Sequence, residues 1–162
     1  MRPLVFLLVL FLLAPAAYAK PPRVNGLAWI GGLELHFDAN RWEVNGAGSA
    51  YNIYCKTYDC SRTTIAVTIA DEAAVACTPE ALKFDEADRA RQGRTDRFSQ
   101  AGLIFLVDEG DFGCRNLAGG PVSACTTHAG KTYIFDAPGQ HCHTKWHAAE
   151  RVNEILQGLR PR

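Results

Sequence analysis

Apolar and polar side chains alternate with a period of two residues in several short stretches of the chain. The clearest is Thr64 to Ala70, where three branched apolar side chains alternate with smaller or polar ones, and Leu33 to Phe37 follows the same pattern. Successive side chains of a strand point to opposite faces, so this alternation predicts half-buried strands. Similar arguments predict strands around 42–44, 51–55, 122–127 and 132–135, and the apolar run 103–107 predicts a strand buried on both faces.

Two stretches predict helices instead. Thr78-Pro79-Glu80 combines a capping side chain, a proline suited to the first turn and a carboxylate for the positive helix end, and predicts a helix running to about Arg91. Thr144 is a candidate cap for a second helix. Its apolar residues recur every three or four positions: Trp146, Ala149, Val152, Leu156 and Leu159. Because strands outnumber helices, we predict an α+β fold: one antiparallel or mixed sheet with two helices packed on it.

The first 19 residues have the pattern of a secretory signal peptide. One arginine precedes ten consecutive apolar residues, Leu4 to Leu13, and Ala17-Tyr18-Ala19 fits a small-x-small cleavage site. We therefore divide the chain into a signal peptide (1–19), an N-terminal leader (20–32) and a single domain (33–162). No later apolar run is long enough to span a bilayer. We expect a periplasmic or secreted protein with no membrane span.

The net charge of the chain bears on the class of macromolecule that it binds. Without the predicted signal peptide the chain keeps 16 basic and 17 acidic residues, a formal charge of −1. Domains that capture nucleic acid are usually strongly basic. We therefore expect a protein or another macromolecule as partner, and no nucleic acid.

All six cysteines follow the predicted signal peptide, and an even number in an exported chain is typical of a disulfide-stabilised fold. Six cysteines allow 15 pairings. Spacing favours a tight loop between Cys55 and Cys60, a stapled hairpin between Cys114 and Cys125, and a bridge between Cys77 and Cys142. A redox pair at Cys55 and Cys60 is disfavoured, because Cys-x4-Cys lacks the Cys-x-x-Cys spacing.

Three of the five histidines lie within seven residues: His141, His143 and His147. Histidines four residues apart share one face of a continuous helix and are able to hold zinc or copper. A cap at Thr144 would place His143 outside the helix, however, so a solvated cluster is the favoured interpretation.

Four arginines lie within nine residues: Arg89, Arg91, Arg94 and Arg97. Guanidinium groups suit bidentate recognition of phosphate or carboxylate on a partner. Ordinary surface ion pairing is the favoured alternative, because Asp85 and Asp88 lie at helical contact spacing from Arg89 and Arg91.

The sequence resembles the PsbP-like fold in three features: the spacing of Phe37 and Trp42, a mid-chain helix, and an amphipathic helix that follows the sheet strands. The PsbP-like fold includes photosystem lumenal extrinsic proteins and exported bacterial relatives. The resemblance covers roughly residues 33 to 160 in element order. The family's usual Pro-Gly before the tryptophan is Asn40-Arg41 here. The resemblance implies a noncatalytic domain that binds a partner, and it transfers no catalytic residue.

No catalytic signature is assembled: the sequence has neither a Gly-x-Ser-x-Gly elbow nor His-Glu-x-x-His. Whether the chain is an enzyme is left open, with a noncatalytic role favoured, and we assign no catalytic residue and no cofactor. We predict a small exported, disulfide-stabilised binding or accessory protein that recognises another macromolecule. The alternative is a secreted metal-dependent hydrolase or metal carrier using the histidines of 141–147.

Overall fold

The computed structural model describes residues 24–57, 60, 63–79, 82, 94–109, 121–138 and 148–162. In chain order the elements are β1 (Gly26–Ile30), β2 (Leu33–Phe37), β3 (Trp42–Ala47), β4 (Ala50–Cys55), β5 (Thr64–Asp71), β6 (Arg94–Gln100), β7 (Leu103–Glu109), β8 (Val122–His128), β9 (Lys131–Ala137), α1 (Ala148–Gly158) and β10 (Leu159–Pro161). No helix in these ranges is long and apolar enough to cross a membrane.

The strands form two antiparallel sheets. The smaller has the order β1-β2-β10, and the larger has the order β3-β4-β5-β9-β8-β7-β6. Most neighbours in the larger sheet are also neighbours in sequence, and two-residue turns join β3 to β4, β6 to β7 and β8 to β9. The exception is β9, which pairs with β5 and so places the β6–β9 half beside the β3–β5 half.

The core is continuous from the small sheet through α1 to the large sheet. Helix α1 contacts β2, β8 and β9. Its buried residues Val152, Ile155 and Leu156 belong to one apolar cluster with side chains of both sheets, including Leu35 and Phe135. Burial of this amphipathic face supplies most of the stability of a helix of this length.

The predicted α+β fold class is wrong. The structure is mostly β, with ten strands in two sheets and, within the described ranges, one helix. The second predicted helix is present as α1, except that Leu159 begins a strand instead of continuing the helix, and Trp146 lies outside the described residues. Most of the first predicted helix, 78–91, also lies outside them. At its start the Leu82 N–H donates to the Thr78 carbonyl at 3.3 Å.

Three strands were missed, for different physical reasons. The polar sequence of β6 shows no apolar alternation, and it is a strand because it pairs along its whole length with β7. The short strand β10 continues the apolar pattern of α1, and its pairing with β2 makes it a strand. The sequence of β1 lies within the segment 20–32 that we expected as a leader, yet it forms a hairpin with β2.

Candidate functional site: the outer face of the small sheet

The structure places only part of the predicted arginine cluster. Arg97 is exposed on β6, and Arg94 is the first residue of that strand, with its side chain outside the described part. Arg89 and Arg91 also lie outside it. Arg97 lines a cleft of about 460 Å³ together with Ile104, Leu106 and Cys77. A role for the four arginines in binding a partner stays a prediction.

The three candidate metal ligands, His141, His143 and His147, all lie outside the described residues. Within those residues no group of three or more histidine, cysteine or carboxylate side chains is placed to hold a metal ion. The metal alternative therefore stays a prediction as well.

Two disulfides are present in the described part of the chain. Cys55 pairs with Cys60, as the spacing indicates. Cys77 pairs with Cys125, with a Cα–Cα distance of 5.6 Å, so the expected Cys114–Cys125 and Cys77–Cys142 pairings are wrong. Cys114 and Cys142 themselves lie outside the described residues.

The location of residues 72–77 explains the Cys77–Cys125 pairing. The Glu72 N–H donates to the Gly130 carbonyl, and the Thr132 hydroxyl donates to the Val75 carbonyl. Both bonds attach this segment to the β8–β9 hairpin, which carries Cys125. Proximity across the sheet, and not the length of the intervening loop, selects the partner.

The outer face of the small sheet carries a group of side chains that sequence reasoning missed. Residues directly opposite each other in an antiparallel pair share one face. Leu27 lies opposite His36, Trp29 lies opposite Glu34, and Arg160 lies opposite Glu34 from the other side. We call these five residues, together with Arg162, whose guanidinium lies over the Trp29 ring, the β1 face. Leu27 and Trp29 are 52% and 47% exposed, which makes them two of the most exposed large apolar side chains in the described chain.

The polar members of the β1 face lie to one side of its apolar pair, on β2 and on the C-terminal segment that pairs with β2. His36 Nε2 lies 3.2 Å from Glu34 Oε2. The guanidinium of the exposed residue Arg162 lies over the Trp29 ring, at 4.8 Å from its centroid, in a cation–π contact. Arg160 Nη1 donates to the carbonyls of Gln157 and Leu159, both at 2.7 Å, which directs this side chain back toward the end of α1.

A two-residue turn holds β1 against β2. Gly31 has a φ of 59°, the conformation that the first turn position of a type II′ hairpin requires, and glycine adopts it without steric cost. The Gly32 N–H donates to the Tyr133 hydroxyl at 3.0 Å, which fixes the turn to the large sheet. A pair of glycines between two apolar runs is a sequence signal for such a hairpin. This signal could have revealed the β1 face.

A cleft of about 350 Å³ lies next to the β1 face, between the small sheet, α1 and β6. His36 and Arg160 belong to both. The other lining side chains are mostly apolar and include Phe37, Trp42 and Phe98.

The polar wall of this cleft is organised around Glu154. The buried Trp42 indole N–H donates to Glu154 Oε1 at 2.9 Å. Glu154 Oε2 lies 3.5 Å from Arg41 Nη2 and 3.4 Å from Arg151 Nη1. Because the Glu154 carboxylate contacts an indole N–H and two guanidinium groups, it connects α1 to the start of β3. This wall therefore has a structural explanation that needs no ligand.

No family model matches the sequence, and a comparison with curated proteins finds no match. Among solved structures, the chain is similar to the solution structure of cyanobacterial PsbP (CyanoP) from Synechocystis sp. PCC 6803. The identity is 13%, the match covers 92% of this chain and 100% of that chain, and the TM-score is 0.49. That protein is a PsbP, the group whose element order this sequence resembles. A match of this kind concerns the course of the chain, and the function has to be derived from this chain's own residues.

Proposed function

We propose that this chain is a small exported accessory protein, stabilised by disulfides, that recognises another protein through the β1 face. The observation that carries the proposal is the pair Leu27 and Trp29, two large apolar side chains that lie half exposed on one short strand. A single exposed apolar residue needs no explanation. Two that alternate on the same face of a strand form a patch that water solvates poorly.

The composition of the β1 face is typical of a binding surface. Tryptophan is enriched among the residues that dominate binding energy, and a polar rim commonly surrounds such an apolar centre. Here Glu34, His36 and Arg162 supply the rim. Covering the exposed parts of Leu27 and Trp29 removes on the order of 200 Å² of apolar surface from water, which favours association by about 5 kcal/mol before the entropic costs of binding.

The disulfides support the proposed export of the protein. Bridges such as Cys77–Cys125 persist in oxidising compartments, and the N-terminal sequence has the pattern of a signal peptide. We therefore place the protein in the periplasm or outside the cell. Growth of the native host followed by osmotic release of the periplasm tests this placement, because a cytoplasmic protein would stay with the spheroplasts.

The binding test uses the protein without its predicted signal peptide as bait for native periplasmic extract. We compare wild type with Leu27→Ser/Trp29→Ser and with a control, Tyr54→Ser/Ile104→Ser, which alters two exposed apolar residues away from the β1 face. Circular dichroism confirms that all three are folded. The expected result is that the first variant loses proteins that wild type and control both retain. Equal capture by all three would contradict the proposal.

A further inference from the structure

The hydrogen-bond pattern of the small sheet shows which main-chain N–H and C=O groups of β1 point toward β2 and which point away from it. On the β10 side of β2, the Arg162 N–H donates to the Gly32 carbonyl at 3.2 Å, and Arg160 lies opposite Glu34. Pro161, which has no N–H, lies opposite Leu33. Residues of an antiparallel pair alternate between those that exchange hydrogen bonds and those that do not. Gly32 and Glu34 therefore direct their main-chain groups toward β10, and Leu33 directs its groups toward β1.

The same alternation then applies to β1 itself. Leu33 and Leu35 pair with Ile30 and Ala28, so these two residues of β1 exchange hydrogen bonds with β2. Trp29 lies between them and Leu27 precedes Ala28, so the N–H and C=O groups of Leu27 and Trp29 point to the other edge of the strand. No other described strand pairs with that edge. The two most exposed side chains of β1 thus belong to the same residues that present two donors and two acceptors along an open edge.

Sheet edges are normally protected by charge, proline or a bulge, because an unprotected edge pairs with any available strand. Three of the four edge strands in the described structure carry such residues. The edge strand β3 carries Glu43, β6 carries Arg97, and β10 carries Arg160 and Pro161. The sequence of β1 is Gly-Leu-Ala-Trp-Ile, with neither charge nor proline. This strand differs from the other three edges by being suited to pairing.

We propose that β1 is a docking strand: the partner lays an extended segment along its open edge and completes the main-chain hydrogen bonds of Leu27 and Trp29. The proposal rests on the proposed function and specifies its mode of recognition. Main-chain pairing supplies affinity in strand addition, and alternate side chains supply specificity. On the β1 face, Leu27 and Trp29 favour apolar side chains, and the guanidinium of the exposed residue Arg162 favours a carboxylate beside them. The segment that fits is extended, lacks proline and combines apolar with acidic residues.

Proline substitutions test the direction of the main chain. Leu27→Pro removes an N–H that faces the open edge, and edge strands tolerate proline at such positions. We expect a melting temperature within about 3 °C of that of Leu27→Val, which keeps the N–H. Ala28→Pro removes an N–H that bonds to β2, and we expect a loss of about 10 °C or more. Equal effects of the two prolines would overturn the assigned direction.

Binding is tested with a displayed library of random ten-residue peptides, selected on the protein without its predicted signal peptide. We expect enriched peptides to combine apolar and acidic residues and to lack proline. Their dissociation constants should rise about tenfold or more for Leu27→Pro and less than about twofold for Leu27→Val, because the proline leaves a peptide carbonyl without its donor.

The outcomes separate the mode of recognition from the function. Peptides that bind Leu27→Pro as well as Leu27→Val, yet fail on Leu27→Ser/Trp29→Ser, would overturn strand addition and leave the β1 face as a binding surface. Peptides that bind all variants equally, or no enrichment over Leu27→Ser/Trp29→Ser, would overturn both. A dimer in sedimentation that Leu27→Pro dissociates would show that a second copy of the chain occupies the edge, which overturns the partner proposal.

Discussion

Gly158, the last residue of α1, provides a test in which two known effects oppose each other. A methyl group added to this residue would lie 2.1 Å from the His36 carbonyl oxygen and 3.1 Å from Leu35 Cδ1. A carbon and a carbonyl oxygen approach to about 3.3 Å at closest. Gly158→Ala therefore forces α1 and β2 apart by roughly 1 Å, a separation derived from that contact limit. Helix propensity alone would instead stabilise alanine over glycine by about 1 kcal/mol.

We expect the steric effect to dominate. The obstacle is main chain of β2, which cannot rotate away, and overpacking of this kind costs typically 1–3 kcal/mol. Gly158→Ala should lower the free energy of unfolding by about 2 kcal/mol. With a slope of about 2 kcal/mol/M, this shifts the urea midpoint down by about 1 M.

The measurement is unfolding in urea, monitored by tryptophan fluorescence and by circular dichroism. Gln157→Ala is the control: it changes an exposed residue of the same helical turn and should alter stability by less than about 0.5 kcal/mol. An unchanged or higher midpoint for Gly158→Ala would show that α1 does not pack against the main chain of β2 as described. The placement of the adjoining cleft would then be wrong too.

Three further results are expected. Glu154→Ala leaves a buried indole N–H without its acceptor and should lower the free energy of unfolding in urea by about 2 kcal/mol. The control Glu43→Ala changes an exposed residue and should lower it by less than about 0.5 kcal/mol, and equal losses would refute the role of Glu154. Replacing both cysteines of the Cys77–Cys125 bridge, of sequence separation 48, by alanine should lower the free energy of unfolding by about 4 kcal/mol. The same change at the Cys55–Cys60 bridge, of separation 5, should lower it by about 2 kcal/mol, and the reverse order would contradict the loop-entropy argument. Zinc titrated into untagged protein should bind no more tightly than about micromolar, and a tighter complex abolished by His143→Ala would favour the metal alternative.

Much of the fold could be predicted because the relevant signals are local. The alternation of Thr64 to Ala70 and the apolar run of 103–107 both mark strands that are present as β5 and β7. The spacing of apolar residues around Val152 marks α1. For β5 and α1 the pattern states which side of the element is buried, and burial of that side is what stabilises the element. The expectation that 103–107 is buried on both faces is wrong, because Ile104 on β7 is 50% exposed.

The candidate site was harder to predict because its residues matter through non-local pairing. Leu27 and Trp29 are unremarkable in sequence, and their significance follows from β2 pairing with β1 on one side and with β10 on the other. Pro21 and Pro22 indicate a leader before Gly26, whereas Gly31-Gly32 between two apolar runs is typical of a hairpin turn. The Cys77–Cys125 pairing could not be predicted for the same reason, since these two cysteines meet across the surface of the large sheet.

The sequence by itself determined the hydrophobic alternation of the strands, the amphipathic helix α1 and the oxidising compartment that its cysteines favour. These depend on neighbours within a few residues or on composition. Only the tertiary structure decided that the strands divide into two sheets, that Cys77 pairs with Cys125, and which described strand has an edge with no paired neighbour. The physical reason is that a strand is completed by hydrogen bonds to partners distant in the chain. Among the described strands, none pairs with the outer edge of β1, and β10 pairs with the opposite side of β2.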